Sequence, residues 1–161
     1  MNASYQDFLE KNVPECLSKL TPESKPLWGN MDAQNMVEHL SLTLTLSNGI
    51  MPIVCSRDPQ KVAVSMEFLR SNQIMPRGFR GPGLPQEPIP HINPNLAAAA
   101  QLLREHIALF FTFFQANPTA AFDHPVFGSL GFELWQRFHC KHFVHHFTQF
   151  ALLPEQNTFD L

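Results

Sequence analysis

Apolar residues recur at three- and four-residue steps in four long stretches of the chain, the period of a helix with one buried face. Residues 4–19 carry Tyr5, Phe8, Leu9, Val13, Cys16 and Leu17 in this way, with Leu20 just beyond. Ser4 is a candidate N-cap there, and Pro14 falls inside the pattern, where it should kink or interrupt the helix. Residues 31–48 carry Met36, Val37, Leu40, Leu42, Leu44 and Leu46, with Asn30 or Asp32 to cap them and Asn48-Gly49 to end them. The Thr-Leu alternation at 42–46 also fits a strand, but the flanking period and caps decide for helix. Residues 96–116 follow a capping Asn95, open on an alanine run and close on Leu109, Phe110, Phe111, Phe113 and Phe114 before Asn117-Pro118 stops them. The last stretch, 135–153, holds no proline or glycine.

Elsewhere the pattern is broken. Residues 60–70 fit one short helix (Val62, Val64, Met66, Phe68, Leu69), set within the irregular span 51–94. Residues 74–94 hold six prolines and three glycines, a composition that supports no regular element. An irregular run of that length in a compact domain is usually functional or a covering excursion. His124-Pro125-Val126-Phe127-Gly128 is a turn-rich bridge to the last helix, where His124 caps that helix or lines a pocket. Four helical patterns, one excursion and no convincing strand predict an all-α helical bundle, a single domain over residues 1–161.

Composition narrows the function classes. A chain of 161 residues with 44% hydrophobic and 16% charged content can bury one core and is not disordered. Its net charge of −3 and pI near 6.2 leave no basic footprint, so nucleic acid is not an expected partner. Three cysteines (Cys16, Cys55, Cys140), far apart and in no CxxC pair, suit a reducing cytosol. The first residues, MNASYQDFLEKNV, form no secretory signal, and the longest strongly apolar run, 107–114, is too short to span a bilayer. A cytoplasmic protein without a membrane partner is the expectation.

Four of the eight histidines lie in the last helical stretch. At about 100° per residue, with His142 at zero, His146 falls near +40°, His139 near +60°, Trp135 and Leu153 near +20° and Gln149 near −20°. His145 swings away to about −60°. The stripe Trp, His, His, His, Gln, Leu is too apolar for a solvated face and too polar for a plain core face. It reads as a polar site in a buried seam. His142-x3-His146 aims two ring nitrogens from adjacent turns at one point, where they either share an ion or bond each other and the backbone. An ion needs a further ligand. His39, among Met36, Leu40 and Thr43 on the second helix, is of the right kind; Glu38, about 100° round, supports the ligands from behind or lies at the surface.

These residues carry a resemblance. Trp28, Met36 and His39, with His124-Pro125-x-Phe127-Gly128, Trp135 and His142-x2-His145-His146-x2-Gln149, are similar to the DinB/YfiT-like metalloenzyme superfamily, and more narrowly to a DinB-related family of small bacterial proteins. The similarity covers most of the chain, Met75-Pro76-Arg77-Gly78-Phe79 included. It implies a four-helix bundle, interrupted here by a long irregular excursion between the second and third long helices. It also implies a divalent metal on three histidines matching His39, His142 and His146, frequent homodimers and, in some relatives, transferase or isomerase activity that uses a small-molecule thiol. Two departures lie near the site: Phe147-Thr148 stand where relatives often have Arg-Gly, and His139 is an extra imidazole.

Three neutral imidazoles would leave an ion its full charge and at least one open position, the arrangement of catalytic zinc. Imidazole suits zinc, nickel, copper or iron, with zinc and nickel first. A water on such an ion has its pKa lowered towards ~7, or gives way to a thiolate or substrate oxygen, which fits a transferase, isomerase or hydrolase acting on a small molecule. His139 and Gln149 flank the three as candidate proton shuttle and orienter, and His145, off the stripe, either supports the ligands from behind or packs the helix. The last stripe lacks an acidic general base, which keeps open a non-catalytic bundle that binds metal or a ligand. Arg77 and Arg80 are solvated charges or the mouth of a site for an anion. His91 is assigned to the surface or to packing, and His106 to solvent.

Overall fold

The computed structural model of the chain describes residues 3–78 and 89–161; Arg80 and the middle of the proline-rich excursion lie outside them. The N-terminal stretch is helical but carries a defect just ahead of its proline. α1 (Ala3–Asp7) runs into a π turn (Phe8–Asn12) and then α2 (Val13–Ser18). Pro14 has no N–H for the Glu10 carbonyl, and its ring would press on that oxygen. Widening the turn relieves both: the Val13 N–H bonds the Phe8 carbonyl, five residues back.

α3 (Ala33–Ser47) starts at Asp32, whose side chain accepts the Asn35 N–H at 2.8 Å, so the Thr-Leu stretch is helical. Thr43 and Thr45 turn their hydroxyls back on the Leu40 and Leu42 carbonyls, which satisfies them inside a helix. α4 (Pro59–Arg70) is capped by Asp58, and α5 (Leu96–Ala116) by Asn95. The expectation of no strand does not hold. β1 (Ala121–His124) and β2 (Gly128–Gly131) form an antiparallel hairpin, with Ala121 opposite Gly131 and His124 opposite Gly128. Strands of four residues, one with glycine at both ends, are too short and bare for alternation to register. Pro125 presets the turn, and Gly128, at φ 70°, closes it in the left-handed region. The chain is therefore mostly helical with one small sheet.

α6 (Phe132–Gln149) starts before Trp135 and stops before Leu153. It stops in a paired turn: the Leu152 N–H reaches the Phe147 carbonyl at 2.8 Å and the Ala151 N–H the Thr148 carbonyl at 3.1 Å. This is the Schellman arrangement, with Ala151 at φ 54° where glycine is usual. The unexpected C-terminal signal was thus an alanine, which sequence does not mark.

α3 packs against α5 and α6. Met36, Leu40 and Leu44 of α3, Leu103 and Phe110 of α5, and Trp135, Phe143 and Phe147 of α6 are fully buried between the elements. α5 is the one element among the described residues long and apolar enough, by length and composition, to cross a bilayer. Its Leu103, Ile107, Phe110 and Phe114 are buried in this core. On another face of α6, Arg137 and Lys141 reach the C-terminal end of α4. Arg137 donates to the Leu69 and Ser71 carbonyls and to the Tyr5 hydroxyl, and Lys141 donates to the Phe68 and Gln73 carbonyls. Two cations thus meet the negative end of a helix dipole and the carbonyls at and just beyond its last turn.

Glu38 is neither at the surface nor at the histidines. It is buried, and its carboxylate accepts from Gln34 Nε2, the Ile92 and Asn93 N–H groups and Asn93 Nδ2. Burial pushes this carboxyl up, but the donors outweigh burial and hold it below the usual carboxylate range. Asn35 Nδ2 adds a bond to the Ile89 carbonyl, and the returning end of the excursion is thereby tied to α3. His91, exposed as expected, pairs with the capping Asp32 at 2.8 Å. His106 is half-buried and bonded to Ser41 Oγ at 2.8 Å, so solvent is not its environment.

Candidate metal centre

Where α3 and α6 meet, three imidazoles converge. His142 Nε2 lies 2.9 Å from His39 Nε2 and 3.1 Å from His146 Nε2. One ligand atom from each of the three falls within 4.8 Å of the others, and among the described residues no carboxylate or thiol joins the group. The helical i, i+4 spacing aligns His142 with His146, and α3 supplies the third ring from the facing side. His142 and His146 are buried, and His39 is half-buried.

Hydrogen bonding among the three rings cannot satisfy this geometry. An imidazole nitrogen has one in-plane direction, used either by a proton or by a lone pair. His142 Nε2 faces two nitrogens but can pair with only one, so an odd nitrogen is always left over. One divalent cation accepts a lone pair from all three, and the donor set suits one.

The protonation pattern agrees. Gln149 Nε2 donates to the Trp28 carbonyl at 2.8 Å, which settles which end of the amide is oxygen. Gln149 Oε1 then accepts from His146 Nδ1 at 2.7 Å, so His146 carries its proton there and presents a lone pair at Nε2. Burial lowers the His39 pKa to about 4, with His145 adding to the effect. Burial pushes His142 and His146 well below the ordinary histidine range, and the neighbouring imidazoles reinforce it. All three are neutral near pH 7, the form that binds metal.

The other histidines divide by neighbour. His139 is fully buried, stacked on Trp135 at 5.5 Å and edge-on to Phe110 at 5.1 Å, and neither ring nitrogen has a hydrogen-bond partner. It is not one of the three converging ligands, though it lies near enough to His142 to lower that ring's pKa. Burial lowers its pKa to about 3, with His124 contributing. His124 neither caps α6 nor lines the cleft described next; it accepts the Val126 N–H at 3.1 Å inside the hairpin, against Phe127 and Phe138. His145 packs edge-on to Trp28 at 5.8 Å and lines a shallow cleft with Trp28, Met75, Arg77, Lys141 and Thr148, none of it contributed by the triad. Arg77 lies 4.3 Å over the Trp28 ring and pairs with Glu155 at 2.6 Å.

The sequence reading missed how Trp28 and Gly29 belong to the centre. The Leu27 N–H bonds the Gln149 carbonyl at 2.7 Å while the Trp28 carbonyl takes the Gln149 amide, so residues 27–28 are pinned to the last residue of α6. The signal was a tryptophan and a glycine just ahead of the second helix, which periodicity does not weigh.

A family model matches residues 4–152, a span that holds the triad, Trp28, Gly29 and Gln149. The chain belongs to DUF1569. The family is described as a protein of unknown function, so membership assigns no chemistry to the three histidines. No curated protein and no solved structure matches this DUF1569 chain.

Proposed function

We propose that this protein is a metal-dependent enzyme of the DinB/YfiT type, a four-helix bundle whose His39, His142 and His146 hold one divalent ion, zinc or nickel first, and act on a small molecule. The observation that carries the reading is the odd set of three convergent Nε2 atoms, with those of His39 and His146 at 2.9 and 3.1 Å from that of His142, which hydrogen bonds among the rings cannot all pair. Three neutral ligands would leave a bound ion its full charge, which would favour an acidified water, a thiol or a substrate oxygen as its remaining partner. The metal, when bound, supplies Lewis acidity to that group.

The protein's own residues hold and orient. Gln149 keeps the His146 proton at Nδ1, and burial keeps all three rings neutral. His39, the least buried of the three, is the ligand nearest to solvent. A cytoplasmic homodimer using a thiol co-substrate completes the proposal, on the resemblance of the His39, His142-x3-His146 and Trp28 positions. Metal analysis of the purified protein, zinc titration and a thiol-dependent transferase and isomerase screen test it. One equivalent of metal, lost in His39→Ala, is expected. Metal-free protein that refuses zinc, nickel and cobalt overturns it.

A further inference from the structure

Gly29 sits at φ 80°, and a Cβ built on it would lie 2.9 Å from Gln149 Nε2, inside the closest approach that real side chains show. That amide is the one that donates to the Trp28 carbonyl and, through Oε1, holds His146 Nδ1. Of the two candidate ligands on α6, only His146 has its second nitrogen held in this way; His142 Nδ1 is buried with no partner. The ring orientation at one corner of the triad therefore depends on an amide that a Cβ at residue 29 would press out of its present position. We propose that Gly29 is a positioning residue for the metal centre, acting through Gln149 on the tautomer and aim of His146. The inference rests on the metal reading above.

Two roles for this glycine can be separated. A left-handed φ alone would be met by asparagine, which tolerates that region. Room for the Gln149 amide would not, because asparagine brings a Cβ. In Gly29→Asn the amide must shift from a position where both its ends are bonded, and the shift loosens its hold on the Trp28 carbonyl or on His146. Outer partners of ligating histidines typically change metal affinity 10- to 100-fold when lost. Removing the amide in Gln149→Ala should cost as much, and once it is gone the Cβ at position 29 has nothing to displace.

The test has two arms on Gly29→Asn, Gln149→Ala and the double variant. In the first, zinc affinity is measured by competition with a chelator. Each single variant should bind about 10- to 100-fold more weakly, and the double variant no more weakly than Gln149→Ala alone. In the second, the tautomer of His146 is read in the metal-free chain by long-range nitrogen–proton NMR at neutral pH. The wild type should show the Nδ1–H form, and both single variants a mixture. Zinc binding in Gly29→Asn within twofold of wild type, or losses that add in the double variant, would overturn the proposal. So would an unchanged His146 tautomer in a folded Gly29→Asn chain. If wild-type protein binds no zinc, the metal reading falls alone, and the tautomer arm still decides whether Gly29 positions His146.

Discussion

Replacing His139 with phenylalanine separates a buried passenger from a working imidazole. The ring is fully buried among Phe110, Trp135 and Phe138, and both of its nitrogens lack a partner. A buried polar group without a hydrogen bond costs about 1–3 kcal/mol, so an apolar ring in the same box should stabilise the fold at pH 7 by about that much, less any strain from its slightly larger volume. The pH dependence is sharper. The folded pKa of His139 is lowered to about 3, while the unfolded chain titrates near the ordinary 6.5. A depressed folded value means that the stability held by the neutral ring is complete above about pH 6.5 and is lost as pH falls from there towards 3. Between pH 7 and pH 5 this amounts to about 2 kcal/mol for one histidine. His139→Phe should therefore gain about 2 kcal/mol more over wild type at pH 5 than at pH 7, with metal content unchanged. Urea unfolding followed by far-ultraviolet circular dichroism at the two pH values, beside metal analysis, measures this. A variant that is less stable than wild type by 1 kcal/mol or more and equally so at both pH values would show the nitrogens to be hydrogen-bonded, and loss of metal would return His139 to the centre.

Ala151→Gly should raise stability by about 0.5–1 kcal/mol, because Ala151 sits exposed at φ 54° in the turn that ends α6; an unchanged urea midpoint would mean that the turn is not left-handed in solution. Arg137→Met should cost about 2–4 kcal/mol by stripping the Leu69 and Ser71 carbonyls of their charged donor at the end of α4, and a loss under 1 kcal/mol in thermal melts would deny that cap its role. Adding zinc at 100 times its Kd should stabilise the metal-free protein by about 2.7 kcal/mol. Since His39 has a folded pKa of about 4, that increment should stay level from pH 7 to pH 5 and vanish as pH falls through 4, which differential scanning calorimetry with and without a chelator would follow.

The helices were legible because each announces itself locally. Asp32, Asp58 and Asn95 cap three of them with their own side chains, and the apolar period then carries each helix inward. The hairpin was not legible, since two four-residue strands, one with glycine at both ends, offer no alternation to read. Nor was the end of α6, where backbone pairing and a left-handed Ala151 stop the helix against its sequence preference. Convergence of His39 on the other two was open to inference only because a pair at i, i+4 leaves a demand unfilled. The brace of Trp28, Gly29 and Gln149 joins residues that are 121 positions apart through a main-chain carbonyl. A carbonyl belongs to every residue type, so no sequence pattern singles this one out.

The histidines of α6 show where helical periodicity stops being informative. His139, His142 and His146 fall within about 60° of one another on the wheel, so sequence gives them one direction. Direction is not neighbourhood. His139 meets Phe110 of α5 and Trp135 and becomes part of an aromatic core, while His142 and His146 meet His39 of α3. Phe138 lies between the two settings, 5.3 Å from the His139 ring and stacked at 5.2 Å on His142. Burial lowers the pKa in both groups, so a shifted value cannot tell them apart. What distinguishes them is what the nitrogens meet: those of His139 have no polar partner, and the Nε2 atoms of the triad face one another. Like lone pairs at about 3 Å repel unless a proton or a cation stands between them. Protons can serve only one pair of the three, so a cation would satisfy this corner of the fold as it would not satisfy His139.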